Sequence, residues 1–390
     1  MSFKKKTPAK AVPPSHPIKT YTATTSWKDN KNATPIVNMK SIVGMFDVDP
    51  FWSCLLFRGK KESLWKFWNH GVTGSFVDRF QDCRKQTELA YVDGWTPRNT
   101  NEGLEFGTLG HKIMERAYKL AKPRKFKIDQ WIEEYEQEWR TAIPNPTEAQ
   151  LAQQELIYAK AQAILPAYFQ RYDGDFLGKY TVPFNGPKPV SFLATEGEFC
   201  IPYIFPDGYA TYFRGMRDVV FLDKAGGHWI SDYKFLSVID ARVILATMQC
   251  NFQLWGYMYS YMIETGLAPK GAILNIIRRP ATRYNPAKET LHEYMERTTI
   301  DCADPEKYPM NFLRIAMAVT KQEILDWKKY TLDPIMDDVR GWWEGRYPNY
   351  RSPKHVAGKY GLCDLFMPLV ENNFTNVYKR TRPFNELMGV

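Results

Sequence analysis

Two aspartates and a lysine flank two apolar segments near the middle of the chain. Asp218 precedes the apolar run 219–222, a Gly-Gly turn follows at 226–227, and Asp232-Tyr-Lys234 ends the next apolar segment. This pattern predicts a β-hairpin in which Asp218 and Asp232 converge. Lys234 is two residues from Asp232 and would share its side of the strand. Two carboxylates on one hard cation, with an amine beside a bound water or phosphate, are suited to metal-dependent phosphodiester hydrolysis.

The Asp-x-Lys tripeptide alone is a weak signal. It also occurs at Asp29, in a polar segment, and at Asp326, in a predicted helix. Only the tripeptide at Asp232 has the strand, turn and strand that would bring a second carboxylate close. The alternative interpretation is an ordinary hairpin that ends in solvated charges.

Further candidate residues lie on elements before the hairpin. Gly107-x-x-x-His111 occurs on a predicted helix, with Glu115 one turn after the histidine. Glu196 and Glu198 follow on one side of a predicted strand. A histidine that only makes a hydrogen bond at a helix start is the alternative for His111.

A glutamine and a tyrosine, Gln253 and Tyr257, are one turn apart on a helix predicted over 239–264. The order Gly-x-x-x-His, Glu, Gly-x-x-Asp, Asp-x-Lys, Gln-x-x-x-Tyr over residues 76–280 resembles the RecB-like exonuclease branch of the PD-(D/E)xK nuclease superfamily. The resemblance implies an α/β fold with a restriction-endonuclease-like core, in which a central mixed sheet is flanked by helices and carries helical additions. DNA, single- or double-stranded, is then the expected partner.

Roles can be given to the hairpin residues on this basis. Asp218 and Asp232 would hold Mg²⁺ or Mn²⁺, since carboxylate oxygens suit hard divalent cations. Lys234 would position or deprotonate the attacking water, or stabilise charge on the phosphate. A lysine beside a phosphate stays cationic, so we favour electrostatic stabilisation.

The resemblance also implies roles for the flanking residues. His111 would be an additional metal ligand that favours Mn²⁺. Glu196 is preferred to Glu198 as the acidic ligand, because the family places an apolar residue three positions after the acid, but either could reach the ion. Gln253 and Tyr257 would orient Lys234 or the nucleic acid, with helix packing as the alternative.

Six cysteines occur far apart and without a Cys-x-x-Cys pair, which indicates reduced thiols in the cytoplasm. Some RecB-like nucleases carry a four-cysteine iron–sulfur cluster. The segment 76–95 resembles their leader, with Cys83 at the first ligand position, but the C-terminal part offers only Cys363. We therefore expect no iron–sulfur cluster, and the compact form resembles a phage-encoded member.

Charge is concentrated at the start of the chain. Residues 1–40 contain eight lysines and one aspartate, a net +7 of the total +9, and are predicted to be a basic disordered tail. This tail is either a solubilising extension or an arm for nucleic acid or an acidic partner. No apolar run approaches the roughly 18 residues that cross a bilayer, and the basic start lacks the apolar core of a signal peptide, so no membrane contact is expected.

The remaining pattern predicts three further regions: an aromatic-rich leader over 41–103, a nuclease core over 104–300 and a C-terminal helical extension over 301–390. Helices are predicted over 104–122, 128–142, 147–172 and 312–343, and strands over 192–202, 211–222, 228–234 and 272–277. Arg278 and Arg279, after the last strand, are candidate phosphate contacts or ordinary surface charges.

The sequence thus predicts a metal-dependent DNA exonuclease for recombination, repair or viral genome processing. A single-strand-binding or recombination protein could be its partner. Two alternatives stay open: an endonuclease, and a non-catalytic nucleic-acid-binding or assembly protein on the same fold. The complete set of Asp218, Asp232 and Lys234 argues against the second.

Overall fold

A computed structural model describes residues 63–97, 101–180, 184–304 and 310–350, together with 357–358, 361–362, 378–381 and 384. The predicted basic tail, and large parts of the predicted leader and C-terminal extension, lie outside these residues. The strands are β1 Trp95–Pro97, β2 Pro189–Ile204, β3 Ala210–Asp223, β4 His228–Leu236, β5 Gly271–Arg278, β6 Phe312–Ala318, β7 Ala357–Gly358, β8 Gly361–Leu362 and β9 Tyr378–Arg380.

A mixed sheet of five strands forms the centre, in the order β2-β3-β4-β5-β6. Only β4 and β5 are parallel, and the other neighbours are antiparallel. The short strands pair separately, β1 with β9 and β7 with β8. The parallel pair needs a long connection, which helices provide.

The helices are α1 Phe67–His70, α2 Gly74–Asp82, α3 Arg84–Thr87, α4 Glu102–Leu120, α5 Ile128–Ala142, α6 Glu148–Arg171, α7 Gly174–Leu177, α8 Ala241–Met248, α9 Phe252–Thr265, α10 Leu291–Ala303, α11 Lys321–Trp327 and α12 Asp333–Trp343. Short π-helical segments, Glu88–Val92 and Lys328–Leu332, follow α3 and α11. Among the described residues, no helix combines the length and apolar character needed to cross a membrane.

Helices cover both faces of the sheet. One buried cluster joins it to α2, α9 and α12 and includes Phe76, Met258 and Trp342. A second cluster joins it to α4 and α6 and includes Ile113 and Ile164. The predicted α/β class, a mixed sheet flanked by helices, is confirmed. The division of the chain into four regions stays a prediction.

The central hairpin has the predicted form. Strands β3 and β4 pair antiparallel from Val219 opposite Ser231 to Leu222 opposite His228. The backbone between them turns at Gly226, where φ is 73°, a left-handed conformation that glycine adopts readily.

Two predicted helices differ from the structure. The helix predicted over 239–264 is divided into α8 and α9, because Asn251 adopts an extended conformation and its side chain caps Leu254 N–H at the start of α9. The helix predicted over 312–343 is wrong at its beginning, since residues 312–318 form β6. There, pairing with β5 along seven residues outweighs the helix propensity of alanine, leucine and methionine.

Candidate active site

Three side chains from three elements form an acidic cluster. His111 of α4, Glu196 of β2 and Asp218 of β3 each direct one potential ligand atom into a group whose members all lie within 4.8 Å of one another. His111 Nδ1 is 3.6 Å from Glu196 Oε1 and 3.5 Å from Asp218 Oδ2. We call these three residues the acidic cluster. Two carboxylates and an imidazole at these separations fit one divalent cation.

Asp218 is fixed at the point where the hairpin strands separate. It comes directly before Val219, which makes the last registered pair between β3 and β4, and it is only 6% exposed. The backbone N–H of Tyr233 donates to Asp218 Oδ2 at 2.7 Å. Burial, together with the nearby Asp232 charge, raises the pKa of the Asp218 carboxyl to about 7. A bound cation would relieve the cost of ionising this group.

Glu196 enters the cluster through an unusual backbone conformation. Its φ is 47°, in the left-handed region that a non-glycine residue occupies only at a cost. On either side, Thr195 pairs with Val219 and Gly197 pairs with Arg217, so Glu196 lies across from Asp218. Glu198 is exposed and does not belong to the cluster. Of the two glutamates that the sequence left as alternatives, Glu196 belongs to the acidic cluster, and its role as a metal ligand stays a prediction.

His111 is held by close packing of α4 on the sheet. Asn101 caps the start of the helix, and its side chain accepts from Leu104 N–H at 2.9 Å. Gly110 lies against Phe235 of β4, and a Cβ at this glycine would come within 2.3 Å of the Phe235 ring. Burial alone would lower the pKa of His111, but the Asp218 and Glu196 carboxylates raise it overall. The imidazole must lose its proton before Nδ1 can bind a cation.

Lys234 is held beside the cluster by a chain of hydrogen bonds. Its Nζ lies 3.1 Å from each carboxylate oxygen of Asp232 and donates to Gln253 Oε1 at 2.6 Å. Gln253 Nε2 in turn donates to the Tyr257 hydroxyl at 2.5 Å. Gln253 of α9 thus contacts the amine and Tyr257 contacts Gln253, and their role in orienting Lys234 stays a prediction.

Asp232 is buried near Asp218, whose pKa its charge raises, and its role as a metal ligand stays a prediction. It is 2% exposed and paired with Lys234, and it lies outside the acidic cluster of His111, Glu196 and Asp218. Burial would lower the pKa of Lys234, but the Asp232 and Asp218 carboxylates raise it. The ammonium therefore stays charged at neutral pH, which suits electrostatic stabilisation of an anion.

The cluster and Lys234 line one cavity of about 980 Å³. Its wall also includes Glu115, Gln253 and Tyr257, while the N-terminal half of α4 extends it through Gly103 and Gly107. A space of this size exceeds what a metal and one phosphate need. The cavity can therefore admit several units of a chain-like substrate.

Of the remaining candidates, Arg279 is closer to the cavity than Arg278. Arg278 Nε donates to the Ser237 carbonyl at 3.4 Å, whereas Arg279 lies beside Gly103 of the cavity wall. Cys83 is buried, and its thiol faces the Tyr350 carbonyl at 3.9 Å. Cys363 lies outside the described residues.

Sequence reasoning missed two contributors to the site. The Tyr233 N–H that holds Asp218 is a backbone group and leaves no signal in residue type. Gly110, next to His111, is a signal that could have been used, because a glycine within a helix often marks close packing.

With this geometry established, comparison with known proteins defines the class. Residues 73–351 match the PD-(D/E)XK nuclease superfamily, and the chain belongs to it. Nucleases of this superfamily use divalent metals, in agreement with the donor set of the acidic cluster.

Two solved structures are similar over much of the chain. One is described as a "Putative exonuclease" from Eubacterium rectale, with a TM-score of 0.40, 12% identity, and coverage of 81% of this chain and 92% of that one. The other is SSO0001, with a TM-score of 0.23, 13% identity, and coverage of 69% and 83%. Among curated proteins, none matches this sequence significantly.

Proposed function

We propose that this protein is a divalent-metal-dependent DNA exonuclease of the RecB-like branch. The observation that carries the proposal is the acidic cluster of His111, Glu196 and Asp218 next to a charged Lys234 in one cavity. Membership of the nuclease superfamily supports phosphodiester hydrolysis as the reaction.

The residues have distinct tasks in this mechanism. His111, Glu196 and Asp218 would hold Mg²⁺ or Mn²⁺, which lowers the pKa of a bound water and neutralises charge on the phosphate. Lys234 directs its ammonium toward the same region and stabilises the developing negative charge. Asp232 and Gln253 keep that ammonium in place through the contacts at 3.1 and 2.6 Å. Tyr257 fixes Gln253.

The order of sequence motifs, from the histidine helix to the Gln-x-x-x-Tyr helix, supports the RecB-like branch and hence cleavage from DNA ends. A phage origin and a role in recombination, repair or viral genome processing follow from the same resemblance. The cytoplasmic location and the partner protein also stay predictions from sequence.

End-labelled linear DNA and covalently closed circular DNA test the proposal, each incubated with Mg²⁺, Mn²⁺ or EDTA. We expect degradation of the linear DNA with either metal, none in EDTA, and an intact circle. Nicking or linearisation of the circle would identify an endonuclease. Binding without cleavage under every metal condition would favour the non-catalytic alternative.

A further inference from the structure

A basic pair lies at the edge of the cavity, away from the acidic cluster. Arg279 follows β5, and its backbone N–H donates to the Leu236 carbonyl at 2.7 Å. Since Leu236 also lines the cavity, this bond anchors Arg279 at the cavity wall. Lys160 of α6 is the second cation, and its residue is only 8% exposed.

The two cations share one carboxylate, and they share it unequally. Lys160 Nζ donates to Glu102 Oε1 at 2.6 Å, whereas Arg279 Nη1 is 3.9 Å from the same oxygen. Arg279 Nε is buried and has no hydrogen-bond partner among the described residues. The Arg279 side chain is 19% exposed. A buried guanidinium nitrogen without a partner costs free energy, and the exposed part of the same side chain is open to a bound anion.

Two glycines of α4 line the cavity near Arg279, and Asn101 Oδ1 is the atom nearest to a Cβ built at Gly103, at 3.1 Å. A Cβ at Gly103 would lie 3.2 Å from Arg279 Nη1 and 3.3 Å from its Cζ, so the guanidinium rests on the helix backbone. One turn further along α4, a Cβ at Gly107 would meet nothing within 4 Å. Both glycines line the same cavity as His111, which lies about 12 Å along the helix from Gly103.

We propose that Arg279, supported by Lys160, binds a backbone phosphate of the substrate strand other than the scissile one. The strand would follow α4 from the acidic cluster over Gly107 to Gly103. Arginine suits this contact because its planar fork donates two hydrogen bonds to a phosphate. The inference rests on the proposed function, because it takes the cavity to hold a nucleic-acid strand. It specifies a second contact that would fix the register of the substrate.

A plain salt bridge that ties α4, α6 and the end of β5 together is the alternative. Under that alternative, Arg279→Ala would change thermal stability but would not change how DNA binding depends on any single phosphate. The test must therefore report on individual linkages.

A series of labelled DNA duplexes with single-stranded ends, each with one neutral methylphosphonate linkage, provides that report. Binding to the full chain is measured in EDTA, where no hydrolysis is needed. In the wild-type protein, one linkage that is not the scissile one should weaken binding about 10-fold when neutralised, as expected for loss of one charged hydrogen-bond pair. In Arg279→Ala this sensitivity should disappear at that linkage alone.

Two further variants sharpen the result. Gly103→Ala keeps Arg279 but places a methyl group in close contact with its guanidinium. This variant should therefore reduce the loss of binding that neutralising the same linkage causes. Arg297→Ala removes an arginine that pairs with Glu289 on the exposed side of α10, and it should retain the wild-type profile. If Arg279→Ala also retains the wild-type profile, or loses affinity equally at all linkages, the proposed contact is wrong.

Failure of the proposed function gives a different pattern. If the protein binds DNA with the predicted linkage profile but never hydrolyses it with Mg²⁺ or Mn²⁺, the Arg279 contact is supported and the proposed nuclease activity is wrong. If the protein hydrolyses DNA and Arg279→Ala does not change the linkage profile of binding, the nuclease activity is supported and the Arg279 contact is wrong.

Discussion

Two groups of buried charges lie against the same central sheet, and they differ in how their charges are balanced. In the first, Arg314 of β6 and Asp175 of α7 form a two-bond salt bridge at 2.7 and 2.8 Å, with both side chains at most 4% exposed. The hydroxyl of Tyr118 donates to the same aspartate at 2.8 Å. This group has a cation and hydroxyl donors for its one carboxylate.

The acidic cluster has no such balance. Asp218 and Glu196 face each other across one imidazole, and the nearest ammonium, Lys234, is already bonded to Asp232. The Glu196 backbone is also in a left-handed conformation. A buried carboxylate that is paired with a cation and hydroxyl donors is satisfied within the fold, whereas buried carboxylates with raised pKa values are typical of functional sites. This contrast supports the proposal that the acidic cluster binds a cation.

The largest expected effect comes from breaking the balanced group. Arg314→Met should destabilise the protein by about 3–5 kcal/mol, because Asp175 would remain buried without its cation. Thermal unfolding measures this loss. Asp218→Asn should be neutral or stabilising in the same assay without metal, since it removes an uncompensated charge. A larger loss of folding stability in Asp218→Asn than in Arg314→Met would contradict the proposed difference between the two groups of charges.

Removal of the Lys234 ammonium should raise the activation free energy of hydrolysis. We expect this change to be smaller than the loss of folding stability in Arg314→Met. Lys234→Ala is expected to reduce hydrolysis on the order of 100-fold or more, by loss of transition-state stabilisation. The side chain of Lys328, in the other described Asp-x-Lys tripeptide, is 32% exposed against 31% for Lys234 and pairs with Asp333 at 2.8 Å. Lys328→Ala is therefore a matched control and should cleave DNA at the wild-type rate. Equal rates for the two variants would remove Lys234 from the mechanism.

The pH dependence of folding stability should also report on the acidic cluster. The pKa of Asp218 is raised from 3.8 to about 7 in the folded state by burial and by Asp232, so folding binds a proton there and stability falls as pH rises from about 4 to 7. The pKa of His111 is also raised, despite its burial, by Asp218 and Glu196. Its contribution is present at low pH and is lost as pH rises through the folded-state pKa.

The metal-free protein should therefore melt at a lower temperature at pH 8 than at pH 5. The melting temperature of Asp218→Asn should depend less on pH, and Mn²⁺ should raise the wild-type value more at pH 8 than at pH 5. Calorimetry in EDTA and in Mn²⁺ provides these values. A wild-type protein that is more stable at pH 8 without metal would contradict the proposed electrostatics.

Much of the fold was predictable, because hydrophobic periodicity identifies long elements. The hairpin, α4, α5 and α6 agree with the predicted positions within a few residues. Strand β6 was not predictable from its residues, since its state depends on pairing with β5. The difference between Glu196 and Glu198 follows from the pairing of β2 with β3, which places Glu196 across from Asp218 and Glu198 opposite Met216, and residue type does not encode this register. The pairing of Asp232 with Lys234 depends on side-chain contacts that form only in the assembled sheet.

Binding of Mn²⁺ to the intact protein, measured by isothermal titration calorimetry at pH 8, tests the acidic cluster most directly. Wild type and two variants are compared: Asp218→Asn, and Asp326→Asn, which alters the helical Asp-x-Lys tripeptide. We expect Mn²⁺ binding in the wild type, the same binding in Asp326→Asn, and its loss in Asp218→Asn. Undiminished Mn²⁺ binding in a folded Asp218→Asn protein would show that the acidic cluster is not the metal site.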